Sequence, residues 1–143
     1  MSTATIPDLW PTDLDPPVAE PTPSGVLRQQ GYLLGQRTGN VVYGEVRSQS
    51  FMDQDGLDLF IHSFHLRCSY MEYDRVLLSV KHGLIPYPAD LIVNALPSQS
   101  VLSEKKVSGS KELTDTLREV FSREDVIKII RSLRTQTRDL DDE

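Results

Sequence analysis

The sequence has one cysteine and no long apolar run, and these two absences exclude whole classes of protein. With Cys68 alone, the chain cannot form an internal disulfide, unlike disulfide-stapled secreted domains. No stretch reaches the roughly 18 apolar residues that a membrane-spanning helix needs. The first residues, MSTATIPDLWPTDLDPP, lack the basic and apolar segments of a secretory signal. We therefore expect a cytoplasmic protein in a reducing compartment.

Basic residues are too few for a protein that binds nucleic acid mainly through phosphate contacts. The chain has 15 Lys and Arg against 21 Asp and Glu, which gives a formal net charge of −6. This sign opposes generic binding to DNA, to RNA and to anionic membrane surfaces. It permits docking on a basic partner protein. The length of 143 residues suits a single domain.

The first 23 residues contain no Lys or Arg, although they contain six of the nine prolines and four acidic residues. Proline at this density removes backbone donors and fixes φ, so neither helix nor sheet can propagate. We predict a disordered, acidic, proline-rich arm over residues 1–23. A single domain over residues 24–138 and a frayed acidic tail over residues 139–143 follow it.

Local patterns predict an α+β fold: an N-terminal helix, an antiparallel meander of three to four strands, and two C-terminal helices packed on one face. Thr22-Pro23-Ser24 is a helix start signal, and Gly39-Asn40 is a helix stop. Gly31 and Gly35 favour a close approach of this helix to the sheet. The predicted strands cover residues 41–48, 58–69 and 75–82, with a short edge strand over 90–94. The predicted connections are a loop over residues 49–57, a turn over 70–74 and a mobile segment over 97–110.

Alternation along the second strand separates a core face from an outer face. The core face holds Phe60, His62, Phe64, Leu66 and Cys68, and the outer face holds Leu59, Ile61, Ser63, His65 and Arg67. In the third strand, the same alternation places Val76, Leu78 and Val80 on one face. Two apolar stripes are predicted in the C-terminal helices: Leu113, Leu117, Val120 and Phe121, then Val126, Ile129, Ile130 and Leu133.

Motifs with a defined chemistry are scarce. His62, His65 and Cys68 are all residue types that bind zinc, but positions three apart on a strand point to opposite faces, so we predict no metal and no cofactor. The sequence has neither a phosphate-binding glycine loop nor a G-x-S-x-G elbow. Nucleophilic catalysis would need Cys68, or a serine, beside His62, His65 or His82. We assign no catalytic residue from the sequence.

Two alternatives remain open at this level. A metal-dependent hydrolase or nuclease would use Glu45, Asp58, His65 and Lys81 on neighbouring strands. Contact with nucleic acid would use a basic stripe on the last helix, where Lys128, Arg131, Arg134 and Arg138 follow helical spacing.

The leading hypothesis is a small, non-enzymatic module that binds a larger, basic protein partner. A bacterial immunity, antitoxin or accessory-subunit role fits an acidic chain without catalytic motifs. Pro7-Asp8-Leu9-Trp10-Pro11 is typical of a short linear motif, because one aromatic residue among prolines and acids can anchor in a partner groove. The predicted contact residues are Trp10, Asp13 and Asp15 in the arm and His65, Arg67, Glu72 and Tyr73 on the meander.

Overall fold

The predicted α+β class is confirmed by a computed structural model, which describes residues 5–16, 20–98 and 100–141. The predicted arm and tail lie partly outside these residues, at 1–4, 17–19 and 142–143. The elements are, in order, α1 (Pro23–Arg37), β1 (Tyr43–Met52), β2 (Asp58–Cys68), a 3₁₀ turn (Ser69–Met71), β3 (Tyr73–His82), β4 (Ala89–Asn94), β5 (Val101–Val107), α2 (Ser110–Phe121) and α3 (Glu124–Asp141).

The sheet is an antiparallel meander of five strands in the order β1-β2-β3-β4-β5, so the prediction of three to four strands was too low. The additional strand, β5, lies within the segment 97–110 that was predicted to be a mobile connection. All residues of β5 before Val107 are exposed, so no alternation of burial marks it. Backbone hydrogen bonds to β4 hold it instead, and β4 is therefore not the edge strand that the sequence predicted.

The first hairpin is longer than its sequence pattern indicated. β1 continues through Met52, so residues 49–52 of the predicted loop are strand. The hairpin turns at Asp53, whose carboxylate accepts hydrogen bonds from the backbone N–H groups of Asp55 (2.9 Å) and Leu57 (2.8 Å). Gly56 supplies the left-handed conformation there, with a φ of 79°. β3 likewise begins two residues before its predicted start, at Tyr73.

A register shift between β2 and β3 changes the face of one residue. Phe64 pairs with Leu78, whereas His65 pairs with Val76, so Leu77 is an extra residue on β3. Val76 therefore lies opposite His65 on the outer face, and its predicted place beside Leu78 and Val80 was wrong. Leu77, rather than Val76, is fully buried, and so is Leu78.

The helices cover one face of the sheet and form the core with it. The alternation of burial along β2 confirms the predicted core face, since His62, Phe64, Leu66 and Cys68 are buried. Helices α2 and α3 contribute the predicted stripes, of which Leu113, Leu117, Val120, Val126 and Leu133 are buried. Burial of these side chains is the main favourable contribution to folding, at about 25 cal/mol per Å² of apolar surface.

Helix α1 begins and packs as its sequence predicts. The side chain of Thr22 accepts a hydrogen bond from the backbone N–H of Gly25 at 3.3 Å and so caps the helix. Gly31 lies directly against the backbone of Gly44 in β1, and a Cβ atom at either glycine would overlap its neighbours. This contact seats α1 directly on β1.

Candidate functional site

Five large apolar side chains are exposed at one end of the sheet, which we call the apolar end surface. The β1–β2 hairpin and the β3–β4 loop lie at this end because the strands are antiparallel. The surface consists of Phe51, Met52, Leu57, Leu84 and Ile85, with exposures between 43% and 76%. Exposed apolar residues that form a contiguous patch mark interaction sites in soluble proteins, whereas single exposed apolar residues do not.

Carboxylates flank the apolar end surface. Asp53 and Asp55 lie in the hairpin turn between Met52 and Leu57, and Asp58 begins β2. Asp55 and Asp58 are exposed, whereas Asp53 uses its carboxylate to hold the turn. The apolar side chains are therefore presented next to negative charge.

The N-terminal arm joins the domain at the same end of the molecule. The hydroxyl of Tyr87, in the β3–β4 loop, donates a hydrogen bond to the carbonyl oxygen of Pro21 at 2.7 Å. Burial, and then the charge of Glu20, raises the pKa of Tyr87 to about 12, so the hydroxyl keeps the proton that it donates. Pro21 is therefore fixed to the same loop that carries Leu84 and Ile85.

The predicted contact residues of the arm are all exposed. Residues 5–16 contain no helix or strand, and Trp10 is 74% exposed. The backbone N–H of Trp10 donates to the carboxylate of Asp8 at 3.0 Å, which makes a local turn at the aromatic residue. Asp13 and Asp15 follow it on the same exposed segment.

The predicted meander residues His65 and Arg67 belong to an ion-pair network on the outer face of the sheet. His65 Nδ1 lies 2.7 Å from Asp74 Oδ1, and Arg67 Nη1 lies 2.6 Å from Glu45 Oε2. Arg47 also contacts Asp74, at 3.0 Å. The side chain of His65 is only 12% exposed, because these neighbours cover it. The two carboxylates of this network are paired with the two arginines and with His65. These contacts order this face of β1, β2 and β3.

The network also favours the ionised form of both its acids. The hydrogen bond from Arg67 holds the pKa of Glu45 below its usual value, against the opposing effect of burial. Burial raises the pKa of Asp74, but the hydrogen bond and charge of His65 and the charges of Arg47 and Arg67 together outweigh it, so that pKa is also lowered. Both carboxylates thus contribute to stability in their charged form.

Glu72 and Tyr73 lie at the opposite end of the sheet from the apolar end surface, where β2 turns into β3. Glu72 is exposed and adopts a left-handed conformation with a φ of 50°. The hydroxyl of Tyr73 is buried without a hydrogen-bond partner among the described residues, and burial raises its pKa. The structure therefore does not bring these two residues together with Trp10, Asp13 and Asp15.

The residues of the metal-dependent alternative do not converge either. Glu45 and His65 are paired across β1 and β2, but Lys81 lies opposite Ile61, four positions along β2 from His65. That separation is about 13 Å at 3.3 Å per residue. Asp58 lies still further along β2. Within the described parts of the chain, no group of three or more His, Cys, Asp or Glu side chains could hold a metal ion.

The predicted basic stripe is a mixed surface in the structure. Lys128, Arg131, Arg134 and Arg138 are all exposed on α3. However, Lys128 and Arg131 line a shallow depression of about 500 Å³ together with Glu124 and Asp125. Arg138 also lies 3.8 Å from the carboxylate of Asp139. The acidic neighbours reduce the positive potential that phosphate binding needs.

Sequence reasoning missed one side-chain cluster on the helix-facing side of the sheet. Ser48 Oγ lies 2.7 Å from His62 Nδ1, and His62 Nε2 lies 2.9 Å from His82 Nε2. The alternation in β2 predicts that His62 lies on the core face, and a serine beside His62 or His82 is one of the arrangements that the sequence suggests. The sequence does not predict that this serine is Ser48, because the pairing of Ser48 with His62 depends on the register of the extended hairpin.

Comparison with known proteins gives no family for this chain: no family model, no curated protein and no solved structure matches it. In the part of the chain that the structure describes, no helix combines the length and the apolar character needed to cross a membrane.

Proposed function

We propose that this protein is an interaction module that binds a larger protein through the apolar end surface and the N-terminal arm. The observation that carries the proposal is that Phe51, Met52, Leu57, Leu84 and Ile85 are all exposed in the hairpin and the loop at one end of the sheet. Large apolar side chains exposed at the same end of a domain often mark a surface that a partner covers.

Charge defines the chemistry of the partner. Asp55 and Asp58 flank the apolar end surface, and Asp8, Asp13 and Asp15 lie in the arm that starts beside it. With a net charge of −6, the module favours a segment that presents apolar side chains next to Lys and Arg. An immunity, antitoxin or accessory-subunit role in the cytoplasm of a bacterium accords with a small acidic module of this kind.

The arm supplies a second contact for the same partner. Its exposed apolar residues are Ile6, Leu9, Trp10 and Leu14. Because Pro21 is fixed to Tyr87, Trp10 is tethered eleven positions along the chain from that point and lies at most about 40 Å from it. Two linked weak contacts bind more tightly than either one alone, since the second forms at a high effective concentration.

The proposal is tested by capturing the partner from the native cell with the full-length protein and measuring the dissociation constant of the purified pair. The test variant is Leu84→Ser with Ile85→Ser, and the matched control is Tyr70→Ser, which removes an exposed ring at the opposite end of the sheet. We expect at least about a tenfold weaker complex for the double variant and less than a twofold change for the control. Affinity should also fall as salt is raised.

Two results would contradict the proposal. One is a complex whose affinity is unchanged by the double variant, and the other is a complex lost equally in Tyr70→Ser. A partner that binds through an acidic segment would contradict the proposed chemistry.

A further inference from the structure

The second inference concerns the Ser48–His62–His82 cluster and goes beyond partner binding. We propose that Ser48 is a base-activated nucleophile that accepts an acyl group from a carboxylic ester, with His62 as its general base. Three neighbouring strands build this arrangement, because Ser48 lies on β1, His62 on β2 and His82 on β3. A nucleophile within hydrogen-bond reach of a base, which a third group orients, is the pattern that activates serine.

The hydrogen bonds determine which nitrogen of each histidine ring carries the proton. His82 Nδ1 lies 2.6 Å from the carbonyl oxygen of Gly83, which can only accept, so Nδ1 carries the proton. In the neutral ring, His82 Nε2 is then an acceptor, and the proton in the 2.9 Å contact belongs to His62 Nε2. His62 Nδ1 is consequently unprotonated and accepts from the hydroxyl of Ser48 at 2.7 Å.

The surroundings of His62 keep it in the neutral form that a base requires. The side chain is buried, and burial lowers its pKa, with further lowering from coulombic interactions with His82 and Arg28. Arg28 on α1 and His82 on β3 are the ionisable groups that act on His62. The ring of His82 stacks on Phe60, with centroids 5.6 Å apart, and this holds it in place.

Ser48 is accessible to a substrate even though its base is buried. The serine is exposed, and Arg28 Nη2 lies 3.5 Å from its Oγ atom. Arg28 also lines a shallow groove of about 570 Å³ between α1 and β1, together with Gly31, Gly44 and Val46 and the polar residues Asn40 and Glu45. An ester bound at Ser48 would place its carbonyl oxygen near this guanidinium, which would stabilise the negative charge that develops there.

The reaction balances with water as the only co-reactant. Ser48 Oγ attacks the ester carbon and its proton passes to His62 Nδ1; the bond to the leaving oxygen then breaks, and the alcohol departs with that proton. Water next attacks the acyl-serine and gives a proton to His62, which returns it to Ser48 Oγ as the carboxylic acid leaves. His82 accepts the hydrogen bond of the transient imidazolium and thus acts as a positioning residue.

The experiment is covalent labelling of the full chain with a fluorophosphonate, read by intact mass and by peptide mapping. In this test Ser48 Oγ bonds to phosphorus, fluoride leaves with the electron pair, and the serine proton passes through His62 to solvent. We expect labelling at Ser48, loss of it in Ser48→Ala, and a fall of about 100-fold or more in His62→Gln. Ser50→Ala is the matched control, because Ser50 is an exposed serine on the same strand. That variant should label at the rate of the unmodified protein.

If a variant of the buried His62 fails to fold, the pH dependence of labelling in the unmodified protein still tests the proposal. The labelling rate should fall on acidification with a midpoint below 6.5, the ordinary value for histidine, because neutral His62 is required. In His82→Gln the midpoint should move upward, since one of the effects that lower the pKa of His62 is removed. A structural role alone would not move this midpoint. Absence of label at Ser48, or a rate independent of pH between about 5 and 8, would overturn the proposal.

Discussion

The carboxylate of Glu20 accepts a hydrogen bond from the backbone N–H of Ser110 at 2.9 Å, across 90 positions of the chain. Ser110 is the first residue of α2, whose N-cap, Gly109, has no side chain to satisfy the free N–H groups there. Glu20 in the arm therefore caps a helix that begins 90 positions later in the chain. Its charge also suits the positive end of the helix dipole.

Removal of this cap should destabilise the domain. We expect Glu20→Ala to lower the free energy of unfolding by about 1 kcal/mol, the usual effect of a lost helix cap. Urea denaturation followed by circular dichroism measures the change. Glu119→Ala, which removes an exposed acid from the same helix, is the control and should leave stability nearly unchanged. Equal stability of the two variants would show that Glu20 does not cap α2.

Most of the fold could be predicted from the sequence because its signals are local. The Thr22 cap, the alternation of β2 and the stripes of α2 and α3 each depend on residues close together in the chain. β5 could not be predicted, because an exposed strand held by backbone pairing has no alternation of burial. Neither could the cap from Glu20, which needs a contact across 90 positions.

The candidate sites likewise combine features that the local sequence predicts with features that only the fold creates. The exposed Trp10 was noticed from composition, but the apolar end surface depends on two loops, 53–57 and 83–88, that only the sheet brings to one end. The extra residue Leu77 shows a further limit: a bulge changes the face of Val76 without any sign in the sequence pattern.

The contact between α1 and β1 should not tolerate a side chain at Gly44. A Cβ atom there would overlap both the ring of Phe64 and the backbone of Gly31. We expect Gly44→Ala to cost about 1–3 kcal/mol of unfolding free energy, as other overpacked sites do. Gly83→Ala is the control, since its new Cβ would meet only the carbonyl oxygen of Asp58 at 3.8 Å. Wild-type stability of Gly44→Ala in thermal denaturation would contradict this packing.

The outer-face network should make stability depend on acid pH. Because the folded-state pKa of Asp74 is lowered, its contribution is present above the ordinary carboxyl pKa and is lost as pH falls through the folded value. The wild type should exceed Asp74→Asn in stability at neutral pH, and the difference should shrink as pH falls below 3.8, the ordinary carboxyl value. Parallel urea denaturation curves across this range measure the difference. If the difference in stability between the two proteins stays constant with pH, the ion-pair network is not its cause.

The hydrogen bond from Tyr87 to Pro21 should make stability depend on alkaline pH. The folded-state pKa of Tyr87 is raised to about 12, above the ordinary value of 10.0, so its contribution is complete below pH 10.0. It is then lost as pH rises towards 12. Tyr87→Phe should be less stable near neutral pH but should lose less stability over that alkaline interval. Absorbance of tyrosinate gives an independent titration, and a Tyr87 pKa near 10 would contradict the contact.

The most direct measurement of the central claim is photo-crosslinking in the native cell from a reactive amino acid at position 84, compared with the same residue at position 70. Leu84 lies in the apolar end surface, and Tyr70 is exposed at the opposite end of the sheet. We predict an adduct from position 84 alone, to a partner segment in which apolar residues adjoin Lys or Arg. An adduct only to a second copy of this chain, equal adducts from both positions, or none from position 84 would contradict the claim.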